Sequence, residues 1–188
     1  MRIIPILLFF CVYSLFAQEK KEALLLIDIQ NFYFKGGEVE LVDPDVATAN
    51  AKQVLADFRT KGKLVVHVKH QFEPGGSIHE SVYPLDSEKV ITKTEVNAFM
   101  KTDLLEYLRE NEIEQLVFAG MQTHMCLEAA TRAAYDYGFS CIVIGDACAT
   151  RNLKILDKEI TAENVHFSTL ATLKSYAKVI SVKEYTGN

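Results

Sequence analysis

The chain of 188 residues has no run of lysine or arginine, no basic stripe and no basic segment interleaved with aromatic residues, and its net charge is −5. A nucleic-acid backbone is held by clustered cations, so a nucleic-acid partner is not expected. There is also no internal repeat, no low-complexity tract and no Pro/Gly/Ser linker, which excludes a solenoid or a string of domains. With 49% hydrophobic and 24% charged residues, the composition is that of a globular domain. Its length suits one α/β domain and not two.

Cysteine is scarce, with residues 11, 126, 141 and 148 only. The first of these lies in Ile3 to Phe16, a nearly unbroken apolar run after Met1-Arg2. That run is too short for a stable transmembrane helix but suits the core of an export signal. Residues 1–17 are therefore expected to be a signal peptide and 18–188 the domain. A periplasmic or secreted protein follows, with no stable membrane association once the signal is removed. The mature chain would keep three cysteines, so at least one thiol is unpaired within it. A Cys141–Cys148 bridge is an open alternative, because spacing alone does not establish disulfide geometry.

After the leader, strand and helix signals alternate. Ala23 to Ile29 is a continuous apolar run, as in a strand covered on both faces. From Asp45 to Lys61 the apolar spacing becomes helical, and Gly62 is a natural stop. Leu64 to Val68 reads as a strand, Gln71 to Ser87 as a long irregular loop, and Val90-Ile91 as a short strand. Thr102 is placed to cap a helix running to about Glu110. Gln115 to Ala119 and Cys141 to Ile144 are further strands, with a helix from about Met125 to Tyr137 between them. A helix over about Ala162 to Tyr176 and a strand near Val179 to Val182 close the pattern. Strands joined by helices imply right-handed crossovers, hence a three-layer α/β/α domain with a mainly parallel sheet.

An open parallel sheet places its site at the carboxyl ends of its strands. Asp28, Lys93, Cys126 and Asp146 all follow strands in this pattern. Cys126 lies where a helix begins, and unpaired N–H groups there favour thiolate over thiol. As a nucleophile it would need a base, for which Asp28 is placed, and a cation, for which Lys93 is placed. Each also has a plain structural reading: a buried thiol, a capping carboxylate, a solvated lysine. Asp146 reads more readily as a structural cap than as part of a site.

Three blocks nevertheless match a known pattern together: ALLLIDIQNFYF (23–34), VITKTEVNAFMKTDL (90–104) and VFAGMQTHMCLEAATRAAYDYGF (117–139), followed by IVIGDACAT (142–150). Over nearly all of residues 23 to 183 the chain resembles the isochorismatase-like superfamily of cysteine hydrolases. The resemblance implies an Asp-Lys-Cys triad on Asp28, Lys93 and Cys126, and a cis peptide at Met121–Gln122. It also implies an oxyanion hole made by the backbone N–H groups of Gln122 and Cys126. The implied activity is cleavage of a small-molecule C–N bond through a thioester. Hydrolysis of an enol ether and non-catalytic binding are the alternatives. Relatives of this kind often form dimers or larger assemblies, so a homo-oligomer is expected.

The metal motif of nicotinamidases, Asp-x-His followed by a further His, is absent. The segment reads His67-Val68-Lys69-His70-Gln71-Phe72, with His79 beyond it. Neither metal nor cofactor is therefore expected. Phe34, Tyr83 and His124 are the expected substrate contacts: one aromatic follows Asp28, another sits on the long loop, and the histidine lies two residues before the nucleophile.

Overall fold

A computed structural model describes residues 20–187; the expected signal peptide lies outside the described residues. The chain opens with β1 (Glu22–Ile27), α1 (Pro44–Thr60), β2 (Leu64–His70), β3 (Lys89–Lys93) and α2 (Leu104–Glu110). It continues with β4 (Gln115–Met121), α3 (Glu128–Asp136) and β5 (Ser140–Ala149). Two short strands, β6 (Leu153–Ile155) and β7 (Lys158–Ile160), precede α4 (Ala162–Leu173), β8 (Lys178–Ile180) and α5 (Val182–Thr186).

Six strands form one parallel sheet in the order β3-β2-β1-β4-β5-β8. Successive residues of β1 serve opposite faces. Leu25 and Ile27 pack with Leu104 and Leu108 of α2, Ala130 of α3 and Leu173 of α4. Leu24 and Leu26 pack with Ala51, Val54, Leu55 and Phe58 of α1 and Val182 of α5. The unbroken apolar run of β1 is thus explained by burial on both sides. The chain winds outward from β1 to β3, then returns to place β4 on the other side of β1. The crevice beyond the ends of β1 and β4 is the topological switch point, where ligands of such sheets bind.

Three features depart from the sequence expectation. Asp103, not Thr102, directly precedes α2; the Thr102 hydroxyl still accepts from the Leu104 N–H at 3.4 Å while donating to the Ala98 carbonyl at 2.6 Å. One side chain thus serves both the helix start and the turn before it. The antiparallel hairpin β6–β7 has no counterpart in the sequence reading. It carries Ile155, Leu156 and Ile160 exposed, so no burial pattern marks it. Finally, α5 begins at Val182, where a strand ending is expected. A capping box between Ser181 and Glu184 starts it.

Candidate active site

Three strands of the sheet, β1, β3 and β4, each lead into one member of the cluster. Asp28 follows β1 directly, in a left-handed conformation (φ 49°), and its N–H bonds the Val68 carbonyl at 2.9 Å. Lys93 ends β3, opposite His70 in the parallel register of β2 and β3. Cys126 follows β4 after the Met121–Gln122 peptide, which is cis as the resemblance implies. Gly120, at φ 131°, sits just before that peptide. A Cβ there would meet the Ile27 carbonyl oxygen at 2.0 Å, so only glycine lets β4 run this close to β1.

The segment around Cys126 is a single π-helical turn, Thr123–Leu127, that precedes α3. The sulfur therefore does not lie in the first turn of an α-helix, as its sequence position suggests, but in a bulged turn of the kind that recurs at functional sites. The Gln122 carbonyl accepts from the N–H groups of Met125 (3.0 Å) and Leu127 (3.3 Å), closing the turn over the strand end. Thr123 is wholly buried; its hydroxyl donates to the Ala149 carbonyl at 3.2 Å and stands 3.0 Å from His166 Nδ1.

The three distant side chains converge. Lys93 Nζ is 2.7 Å from Asp28 Oδ2 and donates to Cys126 Sγ at 3.3 Å. The Asp28 and Lys93 side chains are fully buried and Cys126 is 5% exposed. The short Lys93–Asp28 contact is an ion pair whose angles fall outside those of an aligned hydrogen bond. Burial pushes the Asp28 carboxyl above its usual range, against the pull of the Lys93 ammonium.

One expectation meets an opposing effect. Burial, followed by the charge of Asp28, pushes the Cys126 thiol up to about 12, and Lys93 only partly opposes this. That direction favours thiol over thiolate, against the pull of the lysine. The geometry places the sulfur beside a buried carboxylate made more basic by desolvation, with an ammonium touching both. Such a site can move a proton from sulfur to oxygen when an electrophile arrives.

Around this cluster, Tyr33 faces the Gln122 side chain at 3.4 Å. Burial pushes its hydroxyl pKa up, and the neighbouring Asp28 and Cys126 charges add to that shift. Arg151, immediately beyond β5, donates from Nε to Gln122 Oε1 at 3.2 Å and is exposed. His124 is half-buried and pairs with the Thr150 hydroxyl at 2.6 Å. Burial, and then the charge of Arg151, lower its pKa. His70 Nδ1 lies 3.1 Å from Lys93 Nζ.

Of the expected substrate contacts, His124 stands at the edge of this group. Phe34 is buried and stacks on His79, with ring centroids 3.8 Å apart. Tyr83 is 64% exposed and its carbonyl accepts from Arg59 at 2.8 Å, so the structure ties it to α1 and not to the cluster. Asp146 serves the fold: its carboxylate accepts from the Val182 N–H and its carbonyl from Asn50. Cys141 and Cys148 are free and buried, so no bridge joins them. His67 is buried and bonds Glu88 at 2.9 Å, on a different network from His70 and His79. Among the described residues, no group of three or more His, Cys, Asp or Glu is placed to hold a metal ion.

Sequence reasoning passed over Arg151, weighed His70 only as a metal ligand, and placed Tyr33 only within the aromatic set Phe32 to Phe34 near the pocket. Position was the available signal for two of them: His70 ends β2 and Arg151 follows β5, both at the edge where parallel sheets bind ligands. Tyr33 sits in a 3-10 turn, Asn31–Tyr33, that no periodicity marks.

Comparison with known proteins agrees with this geometry. Residues 22–184 match the family model described as the isochorismatase domain. The chain is 43% identical to the isochorismatase family protein YddQ of Bacillus subtilis, over 86% of this chain and 96% of that one. It is 30% identical to the maleamate amidohydrolase of Pseudomonas putida, over 71% of this chain and 74% of that one. The crystal structure of an isochorismatase from Pseudomonas putida KT2440 superposes with a TM-score of 0.84 at 32% identity. That match covers 87% of this chain and 89% of that one.

Proposed function

The chain belongs to the isochorismatase family and is a hydrolase, and on that premise we propose that it cleaves a small-molecule amide through a thioester on Cys126. The observation that carries the reading is the buried contact of one ammonium with both a carboxylate and a thiol, at 2.7 and 3.3 Å. A buried ion pair is a poor source of stability. Its presence at the switch point is better explained by the chemistry it permits.

The steps are as follows. Asp28 takes the proton from Sγ as the sulfur attacks the amide carbonyl carbon. The carbonyl π electrons move to oxygen, and the backbone N–H groups of Gln122 and Cys126 are assigned to that oxyanion. Such donors are worth about 3 kcal/mol each. As the tetrahedral species collapses, the C–N bond breaks and the nitrogen takes the proton held by Asp28, leaving a thioester. Water then gives a proton to Asp28 and its oxygen attacks the same carbon. Finally the C–S bond breaks and sulfur recovers the proton from Asp28. Lys93 keeps its charge throughout and offsets the negative charge as it passes between Asp28 and sulfur.

Arg151 extends the reading to the substrate. Its guanidinium is exposed beside the Gln122 side chain, where it suits an anionic group of the substrate. A relative's substrate, maleamate, bears a carboxylate as well as an amide. A panel of small amides, neutral and carboxylate-bearing, tests the proposal with ammonia release as readout. Wild type is expected to turn over a carboxylate-bearing member, and Cys126→Ala, Asp28→Asn and Lys93→Ala are expected to lose that activity. Turnover of these amides by Cys126→Ala at the wild-type rate would refute the thioester route.

A further inference from the structure

The Lys93 ammonium has three protons and cannot accept. It pairs with Asp28 at 2.7 Å and donates to Cys126 Sγ at 3.3 Å; its remaining contact is His70 Nδ1 at 3.1 Å. Because lysine only donates, His70 must accept on Nδ1, with its own proton on Nε2. The contact is built into the fold. His70 and Lys93 are register partners on neighbouring parallel strands, so their side chains leave the same face of the sheet. The backbone of His70 is clamped by a buried amide: Gln30 donates to the His70 carbonyl at 2.8 Å and accepts from its N–H at 2.7 Å. The same Gln30 donates to the Gly76 carbonyl at 2.7 Å, tying the long loop to this point.

Resting on the reading of Cys126 as nucleophile, we propose that His70 is a positioning residue whose neutral imidazole completes the three-acceptor cage of Lys93 and so fixes the ammonium against both Asp28 and the sulfur. A buried ammonium with an unsatisfied N–H is costly and either turns away or gives up its proton. Either outcome removes the cation that eases the proton off sulfur. The cage has a built-in acid limit, because a protonated His70 becomes a second cation 3.1 Å from the first. The charged groups facing His70 are Lys93 from β3, Asp28 beyond β1 and Glu95 beyond β3, the last held by Lys101. Burial and then Lys93 lower the pKa of His70, whereas Asp28 and Glu95 raise it.

The test needs no substrate. Full-length wild type, His70→Leu and His70→Asn are treated with iodoacetamide, and carboxamidomethylation of Cys126 is followed by peptide mass mapping. The Asn side chain keeps an acceptor near the place of Nδ1 but does not titrate. At about pH 7.5, His70→Leu is expected to slow Cys126 alkylation at least about tenfold, the loss of one charge-assisted hydrogen bond, while His70→Asn stays within about threefold. Between about pH 7.5 and pH 5.5 wild type is expected to slow more steeply than His70→Asn. Alkylation of a folded His70→Leu at the wild-type rate would overturn the proposal. Should His70→Leu fail to fold, the Asn variant decides: a shallower acid fall supports the cage, and a fall identical to wild type overturns it. If wild-type Cys126 reacts no faster than the buried Cys141, the nucleophile reading fails, and the His70 inference falls with it.

Discussion

Two polar clusters flank β2, one half-buried and one fully buried, built from similar ingredients with opposite results. In the first, Glu88 accepts from Arg59 twice at 2.8 Å, from the Leu85 N–H at 2.9 Å, and pairs with His67 at 2.9 Å. Burial works against its charge, yet the bonds from Arg59, Leu85 and His67 hold its carboxyl down at about 2. In the second, Asp28 has a lysine at 2.7 Å but no aligned hydrogen bond, and burial raises its pKa. A carboxylate saturated with donors anchors the fold; one left short of donors keeps its appetite for a proton. The structural cluster uses up its lone pairs, and the proposed catalytic one holds them ready.

The sharpest way to break this contrast is to remove the nucleophile. Cys126→Ala is expected to lower amide hydrolysis by about 10⁴-fold or more, since members of a catalytic unit fail together. Its melting temperature should stay within a few degrees of wild type, because a buried cysteine packs much as a small apolar residue.

The next largest effect is on stability. Glu88→Ala strands Arg59 and the buried His67, and should cost about 3 kcal/mol in urea denaturation without changing the rate per folded molecule. A cost under about 0.5 kcal/mol would show that the network carries no weight. Titration should separate the clusters further. Glu88, lowered from 4.5 to about 2, stabilises the fold above about pH 4.5 and loses that contribution as pH falls through about 2. Asp28 acts in the opposite sense: its raised pKa means that ionising it costs folding free energy as pH rises past the usual carboxylate range.

A double replacement follows from the same difference. Asp28→Asn with Lys93→Met should abolish turnover yet leave stability unchanged or raised by about 1 kcal/mol, because a buried ion pair rarely repays its desolvation. A loss of several kcal/mol would make the pair structural and erase the contrast with Glu88.

Much of the Asp28–Lys93–Cys126 cluster is legible in the residue pattern, because parallel strands buried on both faces leave continuous apolar runs that end where a site must lie. Asp28 and Cys126 stand directly past two such runs. The Glu88 network left no comparable trace: one carboxylate on a polar loop reads as solvated until Arg59 of α1 reaches it. The upward push on the Cys126 pKa left no trace in the sequence for a related reason. A π turn and a half-satisfied aspartate are tertiary facts, and spacing predicts only the start of a helix. The exposed hairpin β6–β7, lacking a buried face, gave no periodicity to read.

The smallest effect concerns substrate choice. Arg151→Ala should raise KM about tenfold for carboxylate-bearing amides and leave neutral amides nearly unchanged. Equal effects on both would remove Arg151 from the recognition of charge.

The most direct measurement is intact mass after rapid acid quench of wild type turning over whichever amide the panel identifies. The account predicts a transient adduct equal to the acyl part of that amide, mapped to Cys126 and absent from Cys126→Ala. Steady turnover with no adduct in wild type, and undiminished turnover in Cys126→Ala, would contradict it.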